Sequence, residues 1–599
     1  MIKKIPERSE LSVQDTWAIE DIYPSTEAWE ADYEKLSGML ALAASYRGRL
    51  GESAKMLLSY QKLTDEAELL FDALGNYAHR KSDEDTRVAE NQALTAKFLS
   101  LAVRFGTETA FETPEILALG AEKLEAFYKE LPELELYRRR LDNILCAAKH
   151  VLSDAEEKLL AATGEMSNAP TTIYSMFANA DIKFPDAVDA EGNPHPLSQG
   201  TFVSYEESED RVLRKSAFEN LYGTFGSFRN TVASILNTQV KTLEFNAGVR
   251  KYGSALEASL DRTHVPVSVY HNLIDAVHQN MDKMHRYVRL RKKLLGLDEL
   301  HFYDIYTPLV KDAGGSIAFE DAKKTVYDAL APLGEDYRAI LAEGFQNRWI
   351  DVYQNVGKRG GAYSAGAKVH PFVLLNYTGT LDSQFTLAHE MGHALHSYLS
   401  NHTQPVAYQD YVIFVAEVAS TCNEALLMEY LLGKTTDRKE RAYLINHFLE
   451  QFKSTLYRQT MFAEFELRLG ELSAQGVALT ADKLCEVYRD LNRLYFGDDI
   501  VLDEQIALEW ARIPHFYMNY YVFQYATGYA AAIALSRRIL REGEPAVKDY
   551  LNFLSGGCSK DPIDLLKGAG VDMTTAEPVN EALQLFDKLL DEMEKLMEE

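Results

Sequence analysis

Apolar residues recur at helical spacing along most of the chain. Trp29, Tyr33 and Leu36 form one such series, and the next one is Leu58, Tyr60, Leu63, Ala67, Leu70 and Leu74. Residues spaced three and four apart share one face of an α-helix, so each series predicts an amphipathic helix with one buried side. The same periodicity returns after residue 207 and again after residue 407, which predicts a mainly α-helical protein.

Short sequence signals place the starts of two further helices. Thr113 followed by Pro114 is typical of an N-cap and a first helical residue. Ser153 has Glu156 three residues later, which is the pattern of a capping box. Helices are therefore predicted to begin next to Thr113 and Ser153.

Two stretches interrupt the helical pattern. Residues 171–203 alternate in TTIYSMF and DIKF and contain the turn signal Glu191–Pro194, so they predict a small hairpin. Residues 349–380 form the second stretch, with Phe372–Tyr377 as a strand candidate. A helix over 382–399 follows directly, with Asp382 as its predicted N-cap.

That helix carries the sequence His389-Glu390-Met391-Gly392-His393. Residues four apart lie one helical turn apart, so both imidazoles can reach a single Zn²⁺. Glu390 lies beside the two histidines, where a general base is needed to take a proton from a water that the metal activates. Gly392 removes a side chain there, which is interpreted as room for a substrate backbone.

A catalytic zinc takes three protein ligands and keeps one position open. A third histidine ten residues after His389 is absent, because Leu399 stands there, and His396 is about 10.5 Å along the helix from His389. His396 is therefore predicted to be a core histidine or one that supports a metal ligand from behind. Glu417, which lies 28 residues after His389 in an apolar segment, is the predicted third ligand. Glu424 is a candidate acceptor for the free N–H of a ligand histidine, with a surface ion pair as the alternative.

Residues 514–529 are rich in tyrosine and also contain His515. A buried tyrosine hydroxyl needs a hydrogen-bond partner, so this density of polar tips favours a functional role over simple core packing. Peptide hydrolysis requires donors to the oxyanion of the tetrahedral intermediate. His515, Tyr521 and Tyr525 are the candidates, and Tyr521 and Tyr525 are expected one helical turn apart.

The segment Lys358–Ser364 contains two adjacent glycines. It lacks the G-x-x-x-x-G-K-[ST] pattern of a phosphate-binding loop, which leaves a flexible turn or a strand edge. We predict that Gly360, Gly361, Ala362 and Tyr363 form a strand edge to which an extended peptide substrate adds as a further strand.

Charge and composition limit the remaining classes of function. The chain has 599 residues and a net charge of −28, which disfavours nucleic acid as a partner and leaves a solvated acidic surface or a mild preference for cationic peptides. The four cysteines form no C-x-x-C pair. Neither a signal peptide nor a membrane-spanning run is recognisable, so we expect a cytoplasmic protein without membrane or obligate protein partners.

These motifs together resemble a known family. HEMGH, the E-x-x-S-x-x-x-E pattern of Glu417, Ser420 and Glu424, and the later HFY…YYVFQYATG are similar to the thimet-oligopeptidase-like M3 metallopeptidases. Within that family the chain looks most like oligoendopeptidase F, because WAIEDIYPS and the helical N-terminal region also fit. The resemblance covers nearly the whole chain.

The resemblance implies a two-lobed helical clamshell with a deep central channel and small β-sheet elements near the active site. It implies hydrolysis of internal bonds in short unstructured oligopeptides, one zinc held by His389, His393 and Glu417, and Glu390 as the general base. The family's substrate and oxyanion residues fall on the segment from His515 to Tyr525, which adds Tyr517 and Tyr520 as substrate-binding candidates. The implied regions are 1–112 and 113–203, both N-terminal, and 204–599, which is catalytic.

Three other functions stay open at this point. A helical HExxH carboxypeptidase would need a cationic or polar group that binds a free C-terminal carboxylate. A peptide-binding protein without catalysis would have no use for Glu390 beside the metal. A purely structural zinc site is disfavoured, because three nitrogen and oxygen ligands leave a coordination position open.

Overall fold

The computed structural model describes residues 5–310 and 315–598, and most of them are helical. The first helices are α1 Thr26–Ala44, α2 Ala54–Glu84, α3 Ala89–Thr109, α4 Glu112–Glu130, α5 Arg138–Cys146, α6 Asp154–Ala162, α7 Gly164–Met176 and α8 Gln199–Glu206. The next are α9 Arg211–Ser227, α10 Arg229–Val249, α11 Ala255–Asp261, α12 Val267–His278, α13 Met281–Leu294, α14 Phe319–Ala329, α15 Gly334–Gln346 and α16 Leu381–Thr403. The last are α17 Ala416–Lys434, α18 Arg438–Gln451, α19 Arg458–Ala474, α20 Ala481–Phe496, α21 Phe523–Glu542, α22 Glu544–Leu554, α23 Pro562–Gly568 and α24 Glu577–Glu598.

The strands are short and few. They are β1 Ala187–Val188, β2 Pro194–His195, β3 Leu300–His301, β4 Ile350–Asp351, β5 Tyr363–Ala365, β6 Phe372–Leu374 and β7 Ile500–Val501. The predicted mainly α fold with small β elements is therefore confirmed. Among the residues that the structure describes, no helix is both long enough and apolar enough to cross a bilayer.

The chain divides into two compact units, each assembled from three separate stretches. Unit 1 comprises Met1–Lys149, Gly314–Glu429 and Leu535–Gly570, and unit 2 comprises His150–Ala313, Tyr430–Ala534 and Val571–Glu599. The regions predicted from the sequence, 1–112, 113–203 and 204–599, are consecutive segments, and they stay a prediction about sequence organisation.

In unit 1, the three-stranded sheet packs against the N-terminal helices. The strand order is β4-β6-β5, with β4 parallel and β5 antiparallel to β6. Phe372 and Leu374 of β6 join the core that α1 to α3 build, and the Phe372 ring meets Trp17 edge-on with 6.1 Å between centroids. The apolar faces predicted from the helical periodicity fill this core. β5 is therefore the edge strand of a firmly anchored sheet.

Unit 2 is a helical assembly with two small strand pairs. β1 and β2 form an antiparallel hairpin, and β3 pairs with β7 in parallel. α19 packs on α20 through aromatic side chains, and Phe465 meets both Tyr488 and Phe516 at centroid distances of 5.1 Å and 5.0 Å. Phe516, which belongs to the tyrosine-rich segment 514–529, is thereby anchored in the core of unit 2.

The hairpin prediction for 171–203 is correct only in part. The hairpin lies at Ala187–His195 and includes the predicted turn, whereas TTIYSMF is helical and belongs to α7 and the π-helical turn after it. Pro170 and Tyr174 are buried four residues apart, so helical periodicity decides this stretch rather than the short alternation.

Two predicted helix starts move when tertiary contacts are present. α4 begins at Glu112 with Phe111 as N-cap, before the predicted Thr113, and the Phe111 ring packs on Tyr60. α16 begins at Leu381 with Thr380 as N-cap instead of Asp382, because the Thr380 hydroxyl accepts a hydrogen bond from the N–H of Ser383 at 3.1 Å. The capping box of Ser153 and Glu156 is confirmed.

Candidate metal centre and active site

The two histidines of the HExxH motif lie on α16 in unit 1. Their rings are 4.8 Å apart between centroids, and the two Nε2 atoms are 3.2 Å apart. Helical spacing of four residues places them on one side of α16, as the sequence predicted. Both Nε2 atoms therefore point to one place.

Gly392 allows α17 to pack directly against this part of α16. A Cβ atom at Gly392 would lie 2.5 Å from the Cα of Ser420 and 2.7 Å from the carbonyl oxygen of Ala419. The space beside Gly392 is filled by the backbone of α17, so the interpretation that it admits a substrate backbone is wrong. The glycine brings Glu417, three residues before Ser420, next to the histidines.

A buried asparagine fixes the position of α17. The Asn423 amide donates to the carbonyl oxygen of Ala388 at 3.1 Å, and its Oδ1 accepts from the Tyr337 hydroxyl at 2.9 Å. Asn423 thus ties α17 to α16 and α15 without using a charge. Because Asn423 and Glu417 lie six residues apart on the same helix, anchoring Asn423 also fixes the position of the Glu417 carboxylate relative to α16.

His389, His393 and Glu417 form a group that fits one metal ion. The Oε2 atom of Glu417 lies 3.4 Å from Nε2 of His389 and 3.6 Å from Nε2 of His393. Ligands about 2.0–2.1 Å from a tetrahedral ion are about 3.3 Å from one another. Among the described residues, these are the three whose ligand atoms lie close enough together to hold an ion. The predicted trio is therefore brought together with the spacing that a tetrahedral metal requires.

Neighbouring side chains on α17 orient two of these three candidate ligands. Nδ1 of His389 is hydrogen-bonded to the Glu424 carboxylate, which leaves Nε2 of His389 directed at His393 and Glu417. The Ser420 hydroxyl lies 3.3 Å from Oε2 of Glu417 and 3.1 Å from its carbonyl oxygen. The sequence suggested the Glu424 contact, but it assigned no role to Ser420.

The charges of this group shift its acid–base equilibria. Burial lowers the pKa of His389, but the Glu424 and Glu417 carboxylates outweigh burial and raise it well above its usual value. Burial raises the pKa of Glu417, yet its hydrogen bonds to His389 and His393 bring it below its usual value. The carboxylate of Glu417 is therefore ionised and available as a ligand.

Glu390 is buried next to the trio, with only 6% of its surface exposed. Its Oε2 atom has no hydrogen-bond partner among the described residues. Burial raises the pKa of Glu390, although the neighbouring His389 and His393 act in the opposite direction. An orphaned buried carboxylate oxygen with a raised pKa has the properties of a group that exchanges protons with a small ligand.

His396 belongs to the core, as predicted. It is 1% exposed, and its ring stacks on Tyr411 at a centroid distance of 3.7 Å and an angle of 5°. Burial lowers the pKa of His396 to about 3, so the ring is neutral. The Tyr411 hydroxyl in turn contacts the hydroxyl of Ser397 at 3.0 Å. Sequence reasoning did not identify Tyr411, because it lies in the segment between α16 and α17, whose path helical periodicity does not predict.

The glycine-rich segment leads into the edge strand β5. Gly361 has φ 82°, and the Asn376 amide holds its carbonyl oxygen at 2.8 Å. Within the described part of the chain, β5 pairs only with β6, so its other edge is free of strand pairing. A groove of about 300 Å³ lies beside this segment. Its lining is Gly361, Ala362, Leu375, Asn376, Tyr377, Thr378, Asp382, Ser383 and Thr386.

The groove and the metal-binding group share one helix. Asp382 and Thr386 of α16 line the groove, and His389 and His393 follow at intervals of three and four residues. Such intervals place all four side chains on one stripe of the helix. The groove therefore runs along the side of α16 that carries the metal ligands.

In unit 2, three of the predicted residues form an aromatic group. The rings of His515 and Tyr521 are 6.4 Å apart and nearly parallel, and Tyr525 stands edge-on to both, at 6.2 Å and 5.3 Å. Tyr521 precedes α21, which begins at Phe523, so the two tyrosines are not one helical turn apart as predicted. Burial lowers the pKa of His515, which keeps its ring neutral at pH 7.

Tyr517 and Tyr520, the other two candidates in this segment, have buried side chains. Both are 6% exposed. Tyr517 stacks on Tyr174 with 4.3 Å between centroids, and Tyr520 packs edge-on against Tyr270 at 6.0 Å. These contacts pack both rings against the core of unit 2, and Tyr520 also lines a cavity of about 630 Å³ beside α19.

A helical metallopeptidase is the class that this fold and this site define. The chain matches the description "Peptidase family M3" over residues 204–585 and "Oligopeptidase F" over residues 115–184. It belongs to peptidase family M3, which confirms the resemblance seen in the motifs. The protein is thus an enzyme, a metallopeptidase, and its substrates are peptides.

Relatives that are similar over the whole chain have related assignments. Oligopeptidase PepF of Bacillus subtilis (strain 168) is 48% identical over 99% of this chain and 89% of its own length. Oligoendopeptidase F, plasmid, of Lactococcus lactis subsp. cremoris is 40% identical over 99% and 98%. The solved oligoendopeptidase-F of Enterococcus faecium is 38% identical, with TM-score 0.76 over 96% of this chain and 99% of that one. A Chlamydophila abortus protein assigned as a peptidase has TM-score 0.92, 36% identity and coverage of 99% and 100%.

Proposed function

We propose that the protein is a zinc-dependent endopeptidase that hydrolyses internal bonds of short unstructured oligopeptides. The observation that carries this proposal is the trio of His389, His393 and Glu417 with a buried Glu390 beside it. Two imidazoles and one carboxylate suit Zn²⁺, and three protein ligands leave a fourth position for chemistry. A closed set of four protein ligands would instead have favoured a structural site.

The trio is proposed to hold one zinc ion per chain. When bound, zinc supplies Lewis-acid polarisation of the scissile carbonyl and lowers the pKa of a water. The contact of Glu424 with Nδ1 of His389 fixes the tautomer in which Nε2 carries the lone pair. The Ser420 hydroxyl is proposed to hold the Glu417 carboxylate in place by donating a hydrogen bond to its Oε2.

Glu390 is proposed as the general base. It accepts the proton of the attacking water and later delivers it to the leaving amine. The raised pKa of Glu390 suits both steps. A general base works best when its pKa lies near the working pH, because it can then both accept and release the proton. Its buried, unpartnered Oε2 is the atom expected to carry that proton.

The aromatic group of unit 2 is proposed to donate hydrogen bonds to the oxyanion. The hydroxyls of Tyr521 and Tyr525 and the neutral imidazole of His515 are suitable donors. Tyr517 and Tyr520, which belong to the same segment, are proposed as substrate-binding residues.

The edge of β5 is proposed to bind the substrate backbone. An extended peptide that adds to a free strand edge forms main-chain hydrogen bonds that do not depend on its sequence. Gly360 to Tyr363 lie at the start of this edge, next to the groove along α16. The Tyr363 ring is held under the guanidinium of Arg80 at 5.0 Å and its hydroxyl bonds to Asp83, so the edge is rigid.

Replacing Gly360 by valine should raise KM roughly 3–10-fold and leave kcat nearly unchanged, which is the signature of lost uniform binding. A Cβ at Gly360 meets nothing within 4 Å, so a branched side chain there obstructs a docked peptide rather than the fold. Gly315→Val, at another exposed glycine with open surroundings, is the matched control. Identical steady-state kinetics for Gly360→Val and the control would exclude docking on this edge.

Cleavage of a blocked peptide separates the proposal from a carboxypeptidase. An N-acetylated, C-amidated eight-residue peptide with an internally quenched fluorophore should be cut at an inner bond, because an endopeptidase needs no free end. Cleavage only after the C-terminus is freed would favour the carboxypeptidase. Tight binding of the blocked peptide without any product would favour a peptide-binding protein.

The remaining proposals concern partners and location. We propose that the protein acts in the cytoplasm on oligopeptides, without nucleic acid, membrane or an obligate protein partner. The cysteines support a reducing compartment, since Cys146, Cys422, Cys485 and Cys558 are all free thiols.

A further inference from the structure

Two consecutive residues of the aromatic segment have a left-handed backbone. Asn519 has φ 58° and Tyr520 has φ 57°. Asparagine tolerates this region, but a bulky residue such as tyrosine rarely adopts it. Strain of this kind persists only where the surrounding structure enforces it, and it is concentrated at functional sites.

Two buried side chains hold this turn from neighbouring helices. Oε1 of Glu466 on α19 accepts a hydrogen bond from the backbone N–H of Tyr520 at 3.0 Å. The Gln239 amide on α10 donates to Oδ1 of Asn519 at 2.9 Å and lies 3.4 Å from the carbonyl oxygen of Tyr517. Glu466 is 8% exposed and Gln239 is 5% exposed, so neither bond competes freely with water.

α19 also accommodates the Tyr520 side chain. Gly470 lies four residues after Glu466 and therefore on the same face of the helix. A Cβ at Gly470 would lie 2.4 Å from the Tyr520 hydroxyl, so the absence of a side chain there makes room for the ring. One face of α19 thus holds both the backbone and the ring of Tyr520.

The turn determines where the next residue points. Tyr521 follows directly and contributes its ring to the group with His515 and Tyr525. If Tyr520 relaxed to an ordinary right-handed conformation, the chain would leave it in a different direction and Tyr521 would move. The hydrogen bond from the Tyr520 N–H to Glu466 therefore affects where the proposed oxyanion donor Tyr521 lies.

We propose that Glu466 is a positioning residue for peptide hydrolysis, which holds the Asn519–Tyr520 turn in its left-handed form so that Tyr521 lies correctly with His515 and Tyr525. This inference rests on the proposed function, since it assumes that the Tyr521 hydroxyl acts in catalysis. Glu466 itself touches neither substrate nor metal in this account.

The chemistry of Glu466 makes a sharp substitution available. Burial raises the pKa of Glu466 to about 8, so the side chain is a neutral carboxylic acid at pH 7. Glutamine has the same shape, is also neutral and keeps a carbonyl oxygen to accept from the Tyr520 N–H. Leucine has a similar volume but lacks the acceptor. Comparing Glu466→Gln with Glu466→Leu therefore separates the effect of losing the hydrogen bond from the effect of changing charge or size.

The test is a double-mutant cycle between Glu466 and Tyr521, measured on the blocked peptide at pH 7. Tyr521→Phe should lower kcat by about 10²-fold, the usual effect of removing one oxyanion donor. Glu466→Leu should lower kcat roughly 10–100-fold with KM changed less than about twofold, because a misplaced donor weakens the transition state. Glu466→Gln should stay within about threefold of the wild type.

In the Tyr521→Phe background, Glu466→Leu should lower kcat by less than about twofold more, since the group it positions no longer acts. An equal loss in both backgrounds would overturn the inference, as would a Glu466→Leu enzyme with wild-type kcat. If Tyr521→Phe itself leaves kcat unchanged, the proposed role of Tyr521 is wrong instead, so the two failures are distinguishable.

A second variant protects the test against misfolding. Gln239→Met removes the donor to Asn519 but not the Tyr520 bond, and it should lower kcat several-fold only while Tyr521 is present. Glu206→Gln is the control, because Glu206 is another buried carboxyl of unit 2, at 1% exposure, and lies in a different contact network. Circular dichroism confirms that every variant is folded at the assay temperature. A Gln239→Met loss that persists with Tyr521→Phe would count against the inference.

Discussion

Replacing Glu390 by glutamine should lower kcat by roughly 10³-fold or more, because positioned general bases contribute about 10²–10⁴-fold to proton transfer. Glutamine has nearly the same size and polarity, but it cannot accept the water proton. Zinc content and KM should stay close to those of the wild type, since the metal ligands His389, His393 and Glu417 are unchanged. Steady-state kinetics on the blocked peptide, together with metal analysis of the same preparation, provide the measurement.

Two further variants define what the loss means. Glu390→Asp keeps the carboxylate but withdraws it by one methylene, so it should retain intermediate activity. Glu343→Gln on α15 makes the same chemical change at an exposed position and should have no effect. Wild-type kcat in Glu390→Gln would show that another group takes the proton, and loss of zinc in that variant would show that Glu390 has a structural part as well.

Replacing Gly392 by alanine should abolish zinc binding at micromolar metal and reduce activity at least about 100-fold. A Cβ there would lie 2.5 Å from the Cα of Ser420. The obstacle is backbone, which cannot rotate away as a flexible side chain can, so α17 must shift. Overpacking of this kind costs about 1–3 kcal/mol of stability. The shift moves Glu417, and a ligand displaced by a few tenths of an ångström no longer completes the tetrahedron.

The matched control for this substitution is Gly433→Ala, on the neighbouring helix α17. A Cβ at Gly433 meets nothing within 4 Å, so alanine should stabilise α17 by about 0.5–1 kcal/mol through helix propensity alone. Thermal unfolding and zinc titration of both variants supply the comparison. Full zinc occupancy in Gly392→Ala would show that close packing of α16 on α17 does not determine the position of Glu417.

The metal ligands were predictable from the sequence because their geometry is mostly local. His389 and His393 are four residues apart on one helix, and helical periodicity alone places their rings together. Glu417 was identified by its charge in an apolar segment, which requires a partner. Glu424 was identified in a similar way, as a carboxylate that accepts a hydrogen bond from a ligand histidine and does not itself bind the metal.

The sequence could not reveal what brings the helices together. The role of Gly392 depends on the Ser420 backbone, and the amide contacts of Asn423 depend on the depth at which α17 packs. Nothing local distinguishes a glycine that faces substrate from one that faces another helix. The N-cap of α16 moved from Asp382 to Thr380 for a similar reason, since several side chains compete to cap one helix.

The aromatic segment shows a different limit of sequence reasoning. Its density of polar rings drew attention to His515, Tyr521 and Tyr525, and the structure does group these three. Helical spacing was the wrong reason, because Tyr521 lies before α21 and a left-handed turn brings its ring into place. The side chain that accepts a hydrogen bond from that turn belongs to Glu466, which is more than fifty residues away in the sequence.

The metal content of the purified protein, measured together with its cleavage of the blocked peptide, decides whether the protein is a zinc endopeptidase. We expect about one zinc ion per chain, loss of cleavage when a chelator removes it, and recovery when zinc is restored. Full cleavage by metal-free protein, or one bound zinc with no cleavage of the blocked peptide, would contradict it.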